Sequence, residues 1–433
     1  KDTSVNTSFL TNYNLLVLDQ ALKGRSAITF TNTNVLRNAE GRDANVSSLD
    51  LNFFTQNNKY QLELIGQYSK IFGYSPLPAL DYSAYGINLI NDTIRVNNKL
   101  LVKPYSGFKG ILYFGKVSGR WQYDLTTRLT SDKFDPNDMG YLQAPNDVVY
   151  DASLSYKQLT ATDNYISYRY TLGTRYTSMF RPYAFNQYEV YGSAFWLFKN
   201  FWDVTLYAGS QPFEAHDYFE LRTPNRFLKK PGFSYFSAVG STDSRKKLFV
   251  NYAAGGGRYN MDDGWYYTAT LGLRYRFNNR FLLSVSVDRT DVLNEIGYAF
   301  LREPNGEPII GFRRNQQTST IINGTYTFTS RLNFTVRTRH YWNQVRYNDF
   351  YNVATDGSYT KRTFIPNQDE NYTLFNVDAF LNWDFRLGSR VTVGYKNWLG
   401  NPYAVMNSNT YLENLKSSLT IPHGNELTVK LIY

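Results

Sequence analysis

The chain ends in Glu426-Leu427-Thr428-Val429-Lys430-Leu431-Ile432-Tyr433. Successive side chains of an extended backbone point to opposite faces. Leu427, Val429, Leu431 and Tyr433 therefore fall on one side, and Glu426, Thr428 and Lys430 on the other. One such segment fits the last strand of any half-buried sheet. Recurrence of the pattern is what decides the fold.

The pattern recurs from end to end. Leu49, Leu51 and Phe53 alternate with Ser48, Asp50 and Asn52, and Tyr60, Leu62, Leu64 and Tyr68 alternate with Gln61, Glu63 and Gln67. Between Trp265 and Phe277 the apolar row Trp265, Tyr267, Ala269, Leu271, Leu273, Tyr275 and Phe277 opposes Thr268, Thr270, Arg274 and Arg276. Short turn signals sit inside each pair of segments, as at Leu22-Lys23-Gly24-Arg25, Val117-Ser118-Gly119, Asn278-Asn279 and Leu387-Gly388-Ser389. Longer polar connections separate the pairs: Phe72 to Tyr105, Ser131 to Asp147, Asp291 to Gln316. The last of these holds a local hairpin signal around Pro304-Asn305-Gly306 and is long enough to fold inward as a plug or outward as a docking surface. Strands of about 10 residues, short turns at one rim and long loops at the other predict an all-β fold. The expected architecture is a transmembrane antiparallel up-and-down outer-membrane β-barrel of about 18–20 strands, with short periplasmic turns and long extracellular loops.

Nine hairpins and a final strand make about nineteen strands. With an odd count the first strand, Asn12 to Ala21, and the last run the same way, whereas bacterial single-chain barrels have even counts. The expectation is at least one further strand ahead of Lys1, which is neither an initiator Met nor part of a signal peptide. The alternative is an extra strand in Thr410 to Thr420. The chain is otherwise read as one barrel domain over residues 1–433.

Composition narrows the function classes. Aromatic residues are 17% of the chain, which suits the interfacial belts of a barrel, while charged residues are only 19%. There is no Cys, so disulfides and thiolate metal sites are excluded. No run approaches the roughly 18 apolar residues of a membrane helix, which says nothing against strands that hide half their residues from lipid. The net charge of +10 is spread along the chain without basic clusters or a recognition motif, so nucleic acid is not an expected partner.

The outward rows end near the short turns in Trp121, Trp196, Trp202, Phe277, Trp383 and Phe385, an aromatic girdle at headgroup level. The inward rows carry Asp124, Arg128, Arg169, Arg274, Arg276, Asp288, Arg337, Arg339 and Asp378 as a charged lumen wall. Ladders between strands are their ordinary role, and selection of an anionic solute by Arg274, Arg276, Arg337 and Arg339 is the functional alternative. His216, His340 and His423 are too scattered for a zinc motif. Asp135-Pro136-Asn137-Asp138-Met139-Gly140 has the outline of a calcium loop, but Met139 offers no oxygen and Asn146 stands where a bidentate Glu is needed. No nucleophile elbow or P-loop occurs. No catalytic residue, metal or cofactor is expected.

Two stretches carry a family resemblance. Asn12 to Arg37, followed by Arg42-Asp43-Ala44-Asn45-Val46-Ser47-Ser48-Leu49-Asp50-Leu51-Asn52-Phe53, resembles a strand, a Gly turn, a second strand and a polar lead into an Asp-Leu-Asn strand. Phe375 to Arg390 resembles an Asn…Trp-x-Phe-Arg-Pro-Gly-Ser hairpin, with Leu387 in the Pro position. Both are similar to a barrel domain of unknown function in Bacteroidota outer-membrane proteins, one that usually follows a family-nine carbohydrate-binding-like periplasmic domain. The resemblance implies that domain and a strand upstream, together with a link to glycans. The terminal Leu427, Val429, Leu431 and Tyr433 likewise resemble the signal by which barrels are recognised for insertion. The expected function is non-enzymatic envelope transport or a channel, with two alternatives: a structural subunit of secretion or barrel-assembly machinery, and an outer-membrane enzyme. Expected partners are outer-membrane lipids and lipopolysaccharide, the barrel-assembly machinery during insertion, and other outer-membrane proteins or lipoproteins.

Overall fold

The computed structural model describes residues 10–38, 42–76, 93–96, 99–403 and 409–433. The wall opens with β1 (Thr11–Ala21), β2 (Ala27–Arg37), β3 (Asp43–Phe54) and β4 (Tyr60–Phe72). The next connection carries β5 (Ser75–Pro76), β6 (Thr93–Val96) and β7 (Lys99–Val102), which pair among themselves. The wall continues with β8 (Tyr105–Lys116), β9 (Trp121–Thr130), β10 (Asp147–Gln158), β11 (Tyr165–Met179), β12 (Ala184–Phe198) and β13 (Asp203–Gln211). A two-stranded ribbon follows, β14 (Ala215–Asp217) with β15 (Leu228–Lys230). Then come β16 (Phe233–Ser241), β17 (Leu248–Tyr259), β18 (Trp265–Arg276), β19 (Phe281–Arg302), β20 (Pro308–Thr329) and β21 (Leu332–Val353). The short β22 (Tyr359–Lys361) lies on β21, and β23 (Glu370–Arg386), β24 (Ser389–Leu399), helix α1 (Tyr411–Ser418) and β25 (His423–Ile432) complete the chain.

Each wall strand pairs antiparallel with the next in sequence, nineteen in all, and β22 brings the sheet to 20. The fold is all-β, one large antiparallel up-and-down sheet. Its short turns use residues that tolerate a left-handed backbone: Gly24, Gly119 and Gly388 have φ of +76°, +83° and +80°. A hydrogen bond between distant connections fits a curved sheet. The Lys229 N–H donates to the Gly357 carbonyl at 3.0 Å, although β16, which follows Lys229, and β21 are five strands apart, roughly 24 Å of flat sheet. Among the described residues no hydrogen bonds join β1 to β25. The two run in the same direction, and most of their residues are exposed.

Register assigns each residue to a face. The outward row of β18 from Trp265 to Tyr275 is exposed, and it aligns with Leu283, Val285 and Val287 of β19. The inward face is polar and is tied together along the rungs. One rung runs through Asp124, Ser153, Gly173, Tyr191, Gly209, Tyr235, Gly257 and Tyr266 on eight successive wall strands. Its tyrosines lie across the glycines of the preceding strands: a Cβ on Gly173 would meet the Tyr191 ring at 2.4 Å, and one on Gly209 the Tyr235 ring at 2.6 Å. The hydroxyls reach back further, Tyr191 to Asp151 at 2.8 Å and Tyr235 to Glu189 at 3.0 Å.

One expectation and one alternative are corrected. Asp291 to Gln316 is not a loop. β19, β20 and β21 are each 22 residues long and stand above their neighbours as a blade, with a turn only at 303–307. Roughly 10 residues suffice to cross a bilayer, and each of these strands is about twice that long. Leu221 and Leu228 from the 212–232 connection pack against Ile310 and Val353 of the blade. Thr410 to Thr420 is not a strand. Thr410 caps α1 in a capping box with Glu413, and the helix lies on the outward side of β21 and β23. There Asn414 bonds His340 at 2.9 Å and Thr373 at 2.7 Å. Of the connection Phe72 to Tyr105, residues 77–92 and 97–98 lie outside the described residues.

The tyrosine–glycine packing has a direct test. Gly209→Val places methyl groups inside the Tyr235 ring and is expected to lower the urea stability of the refolded protein by about 1–3 kcal/mol. Adding Tyr235→Ala should recover part of that loss. An unchanged midpoint in the single variant would show that the ring is not held there.

Candidate functional site

The interior at the long-loop rim is built from connections that turn inward. Val35, Ala44, Ile71 and Tyr105 from the wall close over Val102 of β7 in one apolar cluster. The 131–146 connection follows them in. The Asp135 N–H donates to the Ser69 hydroxyl at 3.0 Å, and Phe134 is buried where a side chain on Gly107 would collide with it. The acidic residues of the calcium-like stretch are taken up by cations and a phenol. Asp138 pairs with Arg37 at 2.7 Å and Arg42 at 3.1 Å, and Asp135 accepts from the Tyr105 hydroxyl at 2.6 Å. Among the described residues no group of three or more His, Asp or Glu side chains is placed to hold a metal.

On the opposite side the 212–232 connection is fastened as firmly. Arg226 pairs with Glu307 and donates to the carbonyls of Val353 at 2.8 Å and Ala354 at 3.1 Å. Lys230 meets Asp217 and Glu220, each at 2.9 Å. The second oxygen of Asp217 accepts the N–H groups of Phe219 and Glu220, both at 2.9 Å, and so sets the turn that follows.

Between these two inward connections lies a cleft of about 560 Å³. Its lining includes Asp132, Lys133, Asn146, Asp147, Arg181, Asn186, Tyr218, Phe219, Arg222 and Asn225. Three of these stand in the left-handed region, Asn146 at φ +75°, Arg222 at +47° and Asn225 at +57°. Such backbone is costly for residues other than glycine and gathers at ligand clamps and similar sites. Asn146 also grips the next turn, accepting the Arg181 N–H at 2.7 Å and donating to its carbonyl at 2.8 Å.

The sequence-predicted wall residues are distributed along the inner face. Asp124 accepts the Tyr113 hydroxyl at 2.5 Å and the Ser153 hydroxyl at 3.3 Å, and Asp288 accepts Thr270 at 2.8 Å. Arg128 lies 3.7 Å from Asp147, and Arg339 pairs with Asp378 at 2.8 Å. Arg169 stands opposite Lys157. Arg274 donates to the Ser244 carbonyl at 2.5 Å and stacks on Phe249, near the short-turn rim with Arg276. Arg337 shares a rung with Arg274 but is three strands away, roughly 14 Å. The four arginines considered as an anion selector are thus not gathered at one constriction. Arg175, between Asp151 at 2.9 Å and Glu189 at 3.3 Å, centres the best-connected part of the wall.

Trp121, Trp202, Phe277 and Trp383 are exposed near the short turns, with Trp196 and Phe385 beside them and partly covered. Leu427, Val429, Leu431 and Tyr433 form the exposed outward row of the final strand and its last residue. The cleft residues went unnoticed in the sequence because they come from three connections. The locally readable signal was the Asp217 turn, an Asp followed by Phe219 and Glu220.

The clamp on the 212–232 connection carries a pH signature. Burial raises the Asp217 carboxyl, but Lys230 and two backbone N–H groups outweigh that and hold it below its ordinary 3.8. Burial lowers the Lys230 amine, but Asp217 and Glu220 outweigh it and hold it above 10.5. The depressed carboxyl stabilises above 3.8 and is lost as pH falls through its folded value. The raised amine stabilises below 10.5 and is lost as pH rises through its own. Protease cleavage within 212–232 is therefore expected to stay slow from pH 5 to 9 and to rise only beyond those limits. Faster cleavage already at pH 6 would contradict this.

Several solved structures align with most of the chain at low identity. The ferric-catecholate import receptor Fiu of Escherichia coli K12 aligns over 89% of this chain and 69% of its own, with 10% identity and a TM-score of 0.45. The FrpB iron transporter of Neisseria meningitidis aligns over 89% and 75%, with 8% identity and a TM-score of 0.45. For the ferric enterobactin receptor PfeA of Pseudomonas aeruginosa the figures are 90%, 68%, 9% and 0.41. No curated protein matches the chain. The profile of a family described as a domain of unknown function, DUF5916, matches residues 1–433, and the chain belongs to that family.

Proposed function

We propose that the protein is an integral outer-membrane barrel that passes small polar solutes through its lumen without converting them chemically. The observation that carries this is the division of the wall. An exposed apolar face bordered by tryptophans lies opposite a hydrogen-bonded polar face, and the connections at one rim turn inward and leave a polar cleft between them. A lipid-facing band with aromatic borders and a polar interior is what a bilayer demands of a barrel. On this reading the short turns face the periplasm and the long connections face outward, where the cleft forms an entrance. Lipids and lipopolysaccharide surround the band, and the barrel-assembly machinery inserts the chain. The resemblance to the Bacteroidota barrel domain makes glycans the first solute class to try.

One observation favours a second reading, a structural subunit of an outer-membrane complex. The blade of β19–β21 and its flank carry Phe300 and Phe364 at 73% and 51% exposure, far from the apolar band. Exposed aromatics on a projecting element suit a protein partner.

Planar-bilayer recording of the purified protein separates the two. Transport predicts discrete conductance steps, which enlarge when Arg42→Gln with Asp138→Asn releases the 131–146 connection. Silence from both the wild type and the released variant would reject transport and leave the structural reading.

A further inference from the structure

The cleft at the long-loop mouth has an uneven charge balance. Arg226 is committed to Glu307 and two carbonyls, Asp217 to Lys230, and Asp147 lies 3.7 Å from Arg128. Among the described residues neither Arg181 nor Arg222 forms an ion pair.

Both arginines are nevertheless held in place. Asn146 fixes the backbone of Arg181 from both sides, leaving its guanidinium above the Phe180 ring at 5.9 Å. The Arg222 guanidinium lies 3.5 Å from the centre of the Phe219 ring and donates to the Phe219 carbonyl at 3.4 Å. The carbonyl of Arg222 accepts from Arg302 at 3.1 Å, which fixes its left-handed backbone. Burial pushes the Arg222 guanidinium down from its ordinary range, and Glu220 and Asp217 only partly offset this. A stacked guanidinium keeps free edge donors in a fixed fork, the geometry that matches a carboxylate or phosphate. The cleft volume lies within the range of roughly 300–1,000 Å³ typical of small-molecule sites.

We propose that this cleft binds small anionic solutes, with Arg181 and Arg222 holding the phosphate or carboxylate and Tyr218, Asn186 and Asn225 lining the space for the rest of the molecule. The assignment rests on the transport reading, since it supplies that pathway with a first docking point and a charge preference. Asp132 stands on the same cleft and disfavours a second negative group, so a singly substituted solute fits better than a polyanion.

Glucose 6-phosphate and glucose form a matched pair of probes, one anionic and one neutral on the same frame. Saturation-transfer NMR on the full detergent-solubilised protein is expected to detect glucose 6-phosphate and not glucose. Arg181→Gln with Arg222→Gln should weaken the phosphate ester by about tenfold or more. Arg276→Gln, at the other end of the barrel, should leave binding unchanged. Equal signals from the two sugars, or undiminished binding in a double variant that still folds to the heat-modifiable form, would overturn the proposal. Conductance recorded on the same preparation keeps the two readings apart. A conducting barrel without phosphate-ester binding removes this inference and leaves transport standing. A binding barrel that never conducts removes transport and leaves the site.

Discussion

A bilayer offers no water to an unpaired peptide group, and on the proposed reading that constraint sets the terms for this molecule. Nineteen wall strands meet it by pairing each strand with its neighbour in sequence. Once neighbours pair, every turn is local, every second residue faces the same way, and the chain has one apolar and one polar surface. The two end strands break the rule. β1 and β25 run in the same direction and share no hydrogen bonds among the described residues.

The polar surface is organised as well as wet. Along one rung the wall alternates glycine and tyrosine, so each ring lies over a neighbouring strand, and the hydroxyls of Tyr191 and Tyr235 reach carboxylates beyond. Such rings take little room from the lumen and brace the strands they cross. Arg175 performs the same bracing between Asp151 and Glu189. The inward connections then narrow the long-loop mouth from two sides, one held by the Asp138 pairs and the other by Asp217, Lys230 and Arg226. What is left between them is the cleft.

Much of the wall was legible in the sequence because its determinants are local. Alternation, Gly24, Gly119 and Gly388 at turns, and Asn278-Asn279 locate hairpins without long-range information. The blade was misread because its alternation is interrupted by register shifts between Val292 and Glu295 and between Tyr298 and Leu301. Those bulges made the upper halves of β19 and β20 look like a separate small hairpin. Helix α1 had a readable signal in Thr410 and Glu413, three residues apart, the spacing of a capping box. Period two in the segments around it obscured that signal. The cleft was not legible, since Asn146, Arg181 and Arg222 are brought together only by connections that fold back into the barrel.

The most direct measurement is of residue-by-residue accessibility along β18 in reconstituted membranes. Single cysteines at each position from Trp265 to Arg276, spin-labelled and exposed to oxygen and to a water-soluble nickel chelate, report lipid and water separately. Odd positions should favour oxygen and even positions the chelate, with period two across the whole strand. Equal access of the chelate to both sets would mean that the apolar face does not meet lipid, and the account of this protein as a membrane barrel would be wrong.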